Sequence, residues 1–76
     1  MNKYTELINS RSREEWTSLM YNWVHNKRDR EMLTLRMLDG EDYADIADKY
    51  YISSEYCRQR IEAAKKQLFS HVEIPK

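Results

Sequence analysis

Apolar residues recur at helical spacing through nearly all of this chain, and one glycine, Gly40, and one proline, Pro75, are all that interrupt it by backbone geometry. Leu, Met, Glu, Lys and Arg fill the intervening positions, and these residues lose little freedom in a helix. No stretch alternates apolar and polar side chains for long enough to read as a strand. The expectation is an all-α fold, a small domain of four to five helices. With only 76 residues the core must be thin, so these helices need one another, or a partner, to bury their apolar faces.

Along the chain, Tyr4, Leu7 and Ile8 share one side of a short opening helix that Asn9-Ser10-Arg11-Ser12 breaks. Ser12 and Glu15 have the spacing of a capping box, in which each side chain satisfies the other's free backbone N–H. Trp16, Leu19, Met20, Trp23 and Val24 then form one stripe on a helix reaching about Asn26. A second helix is expected from about Arg28 to Leu38, stopping at Gly40. Met32, Leu35 and Leu38 line one of its faces, and Leu33 and Met37 a second. A helix apolar on two faces needs two neighbours, so Trp16, Met20, Trp23, Leu33 and Met37 read as core or as a dimer seam. Asp42, with Asp45 three positions on, suits the cap of a third helix carrying Tyr43, Ile46, Ala47 and Tyr50. After the break at Tyr51-Ile52, Ser53 caps a fourth helix, with Cys57, Ile61, Ala64 and Leu68 at intervals of four, three and four. Phe69 and Val72 prolong that stripe. The organisation expected is a helical segment over 1–26, a helix-turn-helix unit over 27–72 and a tail over 73–76.

Chemistry is mostly excluded. His25 and His71 have no Cys or carboxylate at metal-ligand spacing, so no metal site is expected. One glycine cannot make a phosphate-cradling loop, and the carboxylates near Asp42 read as caps and solvated surface. No enzyme, no cofactor and no small-molecule substrate are expected. Cys57 lies on the apolar side of its helix and reads as a small core residue. A single cysteine fits a reducing, cytoplasmic setting. No apolar run approaches the roughly 20 residues that cross a bilayer, and no apolar leader segment follows Met1. Thirteen basic residues balance thirteen acidic ones, but unevenly. Residues 1–36 carry seven basic and five acidic groups, residues 37–49 one against five, and residues 50–76 five against three. An acidic belt thus divides two mildly basic regions.

The informative pair is 42–50 and 53–68: a short helix, a tight break, and a longer helix whose outer side is polar and basic. Ala47 permits close approach of the second helix, and Ile52 can plug the angle between them. That is the pattern of a helix-turn-helix. The run Arg30-Glu31-Met32, Leu38-Asp39-Gly40, Tyr43-Ala44-Asp45-Ile46-Ala47, Ile52-Ser53, Cys57, Arg60-Ile61, Ala64-Lys65-Lys66 and Leu68 resembles the fourth region of bacterial sigma factors, especially the extracytoplasmic-function type. The resemblance spans residues 28 to 68 without a gap. Two departures stand out. Tyr51 occupies a turn position that this family usually fills with glycine, and nothing in the 76 residues resembles the sigma region that binds the other promoter element. The expectation is a stand-alone sigma-like regulator of the phage or mobile-element kind.

The resemblance makes the fourth helix the recognition helix. Ser54, Glu55, Arg58 and Gln59 would then face base edges, with Arg58 suited to guanine and Gln59 to adenine. Tyr56, Arg60, Lys65 and Lys66 would meet the sugar-phosphate backbone, although Tyr56 can instead pack on the third helix. The partners expected are double-stranded DNA, a second copy of the chain as a homodimer on two half-sites, and RNA polymerase or another protein. The competing reading is a protein-interaction module of a phage or mobile element that keeps the fold without binding DNA and docks on a host or packaging partner, which zero net charge, the acidic belt and Tyr51 in the turn favour.

Overall fold

The computed structural model describes residue 6 and residues 8–72, and these form helices joined by short turns, with no strand among them. The four helices that build the body are α1 (Arg13–Trp23), α2 (Lys27–Met37), α3 (Tyr43–Tyr50) and α4 (Ser54–Phe69). Glu6, Ile8 and Asn9 are also helical in backbone. The rest of the expected opening helix, Tyr4, Thr5 and Leu7, lies outside the described residues, as does the tail over 73–76.

Each boundary has a local cause. The Ser12 hydroxyl accepts from the Glu15 backbone N–H at 3.2 Å, and Glu15 returns the bond to the Ser12 N–H, completing the capping box of α1. Asn26 caps α2 by accepting from the Asp29 N–H at 3.0 Å. Ser53 caps α4 in the same way, from the Tyr56 N–H at 3.1 Å. Asp42 precedes α3 in an extended conformation but makes no side-chain cap. Its carboxylate is exposed to solvent, 4.0 Å from Arg36 across the loop. Gly40, at φ 70°, turns the chain after α2 so that the Glu41 N–H reaches the Leu35 carbonyl at 3.1 Å.

The turn between α3 and α4 keeps the left-handed residue that the fold needs, without glycine. Tyr51 sits at φ 57°, ψ 41°, the one non-glycine residue with positive φ among those described. The Ile52 N–H then bonds back to the Ala47 carbonyl at 3.1 Å, closing the helix with the wide bond of a Schellman motif. Ile52 packs against the core and the Tyr51 ring is left 95% exposed.

The core lies where α1, α2 and α3 meet α4, the helix against which the other three pack. Cys57, Ile61, Ala64 and Leu68 supply the α4 side of it, and Val72 continues the stripe. Across from them sit Ile46 and Ala47 of α3, Met32, Leu33 and Met37 of α2, and Trp16 and Met20 of α1, with Val24 just beyond. Trp16, Met20 and Leu33 are fully enclosed within one chain, and Met37 nearly so. The Trp16 indole N–H donates to the Ile8 carbonyl at 2.9 Å, so the polar atom of the buried ring is satisfied. Trp23 departs from that pattern. It lies at the edge of the stripe, 37% exposed, and stacks on the His71 ring at 3.8 Å.

Candidate nucleic-acid interface

The buried stripe of α4 fixes which of its side chains face outward. With 3.6 residues per turn, the side opposite Cys57, Ile61, Ala64 and Leu68 carries Glu55, Gln59 and Lys66, flanked by Ser54 and Arg58 towards one edge and by Tyr56 and Arg60 towards the other. Ser54, Glu55, Arg58, Gln59 and Lys66 are all exposed. The four residues read as base-contacting are therefore brought together on the first two turns of one helix. Within that patch Arg58 donates to Glu55 at 2.7 Å, so the guanidinium is held alongside the helix by its own neighbour.

Both edges of α4 are fastened. On the α3 edge the Tyr43 hydroxyl donates to Glu62 at 2.6 Å, and the Arg36 guanidinium lies over the Tyr43 ring at 4.5 Å. Burial, then the Glu62 carboxylate, push the Tyr43 phenol above its ordinary pKa. Lys65, half-buried, stands 3.9 Å from the same Glu62. On the α2 edge Asp29, only 4% exposed, accepts from Arg60 through both carboxylate oxygens. That hydrogen bonding raises the Arg60 pKa above the ordinary guanidinium value. Beside this pair the Arg28 guanidinium lies 5.5 Å from the Tyr56 ring centre and donates to its hydroxyl at 3.2 Å.

The sequence-based roles thus divide. Ser54, Glu55, Arg58 and Gln59 share an open face. Lys66 lies on the same face about two turns further along. Arg60 is instead committed to a buried carboxylate on α2, and Tyr56 packs towards α2 rather than α3. Asp29 and Arg28 are not legible as site residues in the sequence, because both sit in a run of charges that reads as solvated helix surface. Their partners lie 31 and 28 positions away.

The remaining surface is unequal in charge. Asp42, Asp45 and Asp48 are exposed along α3, while the Lys49 ammonium is paired with Glu41 at 2.6 Å. No helix among the described residues is long and apolar enough to cross a membrane.

A family model described as Sigma-70, region 4 matches residues 26–68, more than half of the chain, from the Asn26 cap of α2 to the last buried leucine of α4. No curated protein and no solved structure gives a match.

Proposed function

The chain belongs to the Sigma-70, region 4 family, whose domains are DNA-binding helix-turn-helix modules, and on that premise we propose that it reads a specific double-stranded DNA sequence in transcription regulation. The observation that carries this reading is the clustering of Ser54, Glu55, Arg58 and Gln59 on the open N-terminal face of α4. In a helix-turn-helix that end of the second helix enters the major groove. Arg58 donates two bonds to guanine O6 and N7 there, and Gln59 pairs with adenine. Glu55, which holds Arg58 before binding, either keeps that arginine aligned or accepts from a cytosine amino group. Lys65 and Lys66 serve as phosphate ligands.

A single motif grips few phosphates, and pairing two copies on adjacent half-sites multiplies affinity without new base recognition. With Trp16, Met20 and Leu33 enclosed, the aromatic side chains of α1 left to join two copies are the exposed Tyr21 and Trp23. The acidic face of α3 favours a second reading, in which the chain docks on a basic protein surface, RNA polymerase or another partner, in a cytoplasmic setting.

Selection from a random double-stranded DNA pool, with an Arg58→Ala, Gln59→Ala variant alongside, separates the two. An enriched motif that the variant loses supports sequence reading by α4, and a two-fold repeat within it supports the dimer. The absence of enrichment at low and moderate salt refutes DNA reading and leaves the docking surface.

A further inference from the structure

α4 is flanked by opposite charges. In a helix-turn-helix the first helix usually crosses the DNA backbone beside the groove that the second one enters. Here that helix is α3, and its open side presents Asp45 and Asp48, carboxylates that phosphates would repel, while Asp42 at its start lies 4.0 Å from Arg36. The one cation of α3, Lys49, is neutralised by Glu41. On the other flank lies the start of α2, with Lys27 exposed and Arg28 half-buried against Tyr56. The charge of the interface therefore sits on the side where the motif does not usually put it.

We propose that Lys27 and Arg28 of α2, with Tyr56 of α4, form the phosphate-binding anchor of the DNA interface, and that α3 stands clear of the backbone. This rests on the DNA-binding reading above and names where the backbone grip lies.

Three features fit the cluster to a phosphodiester. The Tyr56 hydroxyl accepts from Arg28 Nη2 at 3.2 Å, so its own proton remains to be donated to a phosphate oxygen. Arg28 is half-buried against the Tyr56 ring, and its bond to the Tyr56 hydroxyl engages one of the five guanidinium N–H donors, leaving others to reach a phosphate oxygen. The Asp29–Arg60 pair one turn along fixes the first turn of α2 to the second turn of α4, so the anchor cannot drift relative to the reading face. Arg60, the cation that the sequence suggests for this task, is consumed in that fastening. Arg28 stands in its place.

The test uses the full chain, the enriched duplex and a series of salt concentrations. Removing one cation that neutralises a phosphate makes the slope of log K against log salt shallower by about 0.9. Lys27→Gln, Arg28→Gln is expected to reduce the slope by about 1.8, which corresponds to roughly 60-fold weaker binding at 0.1 M salt if the salt-independent part is unchanged. The enriched sequence should stay the same, whereas Arg58→Ala should alter it. Lys27→Gln alone, at an exposed position, should lower the slope by about 0.9 and guards against a folding defect in the double variant. Asp45→Lys places a cation on α3 and should leave the slope unchanged. An unchanged slope in both Gln variants, or a slope about 0.9 steeper in Asp45→Lys, overturns the anchor while leaving DNA reading intact. A wild-type chain that binds no duplex overturns both.

Discussion

Tyr51 offers a test of the turn in which backbone and side chain separate cleanly. At φ 57°, ψ 41° its Cβ lies in the left-handed well, which costs an L-residue about 1–2 kcal/mol. The ring is 95% exposed, so removing it forfeits almost no buried area. Glycine relieves the Cβ clash but gives up about 0.5–1 kcal/mol of chain entropy on folding. The net expected for Tyr51→Gly is a gain of about 0.5–1 kcal/mol, or about 2–8 °C in Tm for a domain of this size. Tyr51→Ala keeps the Cβ and loses only the ring, so it should stay within about 0.5 kcal/mol of wild type. Urea unfolding of the three proteins, with equal m-values as the check that the denatured state is unchanged, gives the comparison. An alanine variant that gains as much as the glycine variant would place the cost in the exposed ring rather than the backbone. A glycine variant less stable than wild type would refute the left-handed turn itself. A gain in stability together with unchanged DNA binding would show that Tyr51 serves neither the fold nor the groove.

The two sides of the Asp29–Arg60 pair should respond unequally. Arg60→Ala leaves a carboxylate that is 4% exposed without its charged partner, at a cost of about 2–3 kcal/mol. Asp29→Ala strands a guanidinium that is 38% exposed and can turn to water, at a cost nearer to about 1 kcal/mol. Equal losses in chemical denaturation would show that Asp29 is solvated after all. The Asp39 carboxyl, which accepts from Arg13, is held below its usual pKa mainly by that hydrogen bond. A folded-state pKa below the unfolded one contributes stability above the unfolded value, near about pH 3.9, and loses it as pH falls through the folded value. Asp39→Asn should therefore be slightly less stable than wild type at neutral pH and indistinguishable in strong acid. A difference that persists at low pH would contradict the pairing.

Most of the fold can be read from local chemistry. Ser12 with Glu15, Ser53 at the last break, and the Cys57, Ile61, Ala64, Leu68 stripe are each set by residues within a turn or two, and the helices form where those signals place them. Gly40 takes positive φ as its isolation in the sequence suggests. What escaped depends on tertiary position. Trp16, Met20 and Trp23 look alike in a periodic stripe, yet only the neighbours supplied by α4 decide that Trp23 lies at the rim against His71. Asp42 has the residue type and backbone of a cap, yet its exposed carboxylate makes no cap bond. The open face of α4 follows from its own periodicity. The loss of Arg60 to Asp29 and the arrival of Arg28 beside Tyr56 depend on how α2 crosses α4, which no local pattern encodes.

If the first turns of α4 read bases in the major groove, replacing guanine by 7-deazaguanine within the enriched duplex tests that reading at one atom. The change removes the N7 acceptor that Arg58 would use and leaves Watson–Crick pairing intact. At one guanine position, wild type should lose about 5- to 150-fold in affinity, the equivalent of about 1–3 kcal/mol, and Arg58→Ala should lose nothing further. Equal losses in both proteins, or none in either, would contradict base reading by Arg58.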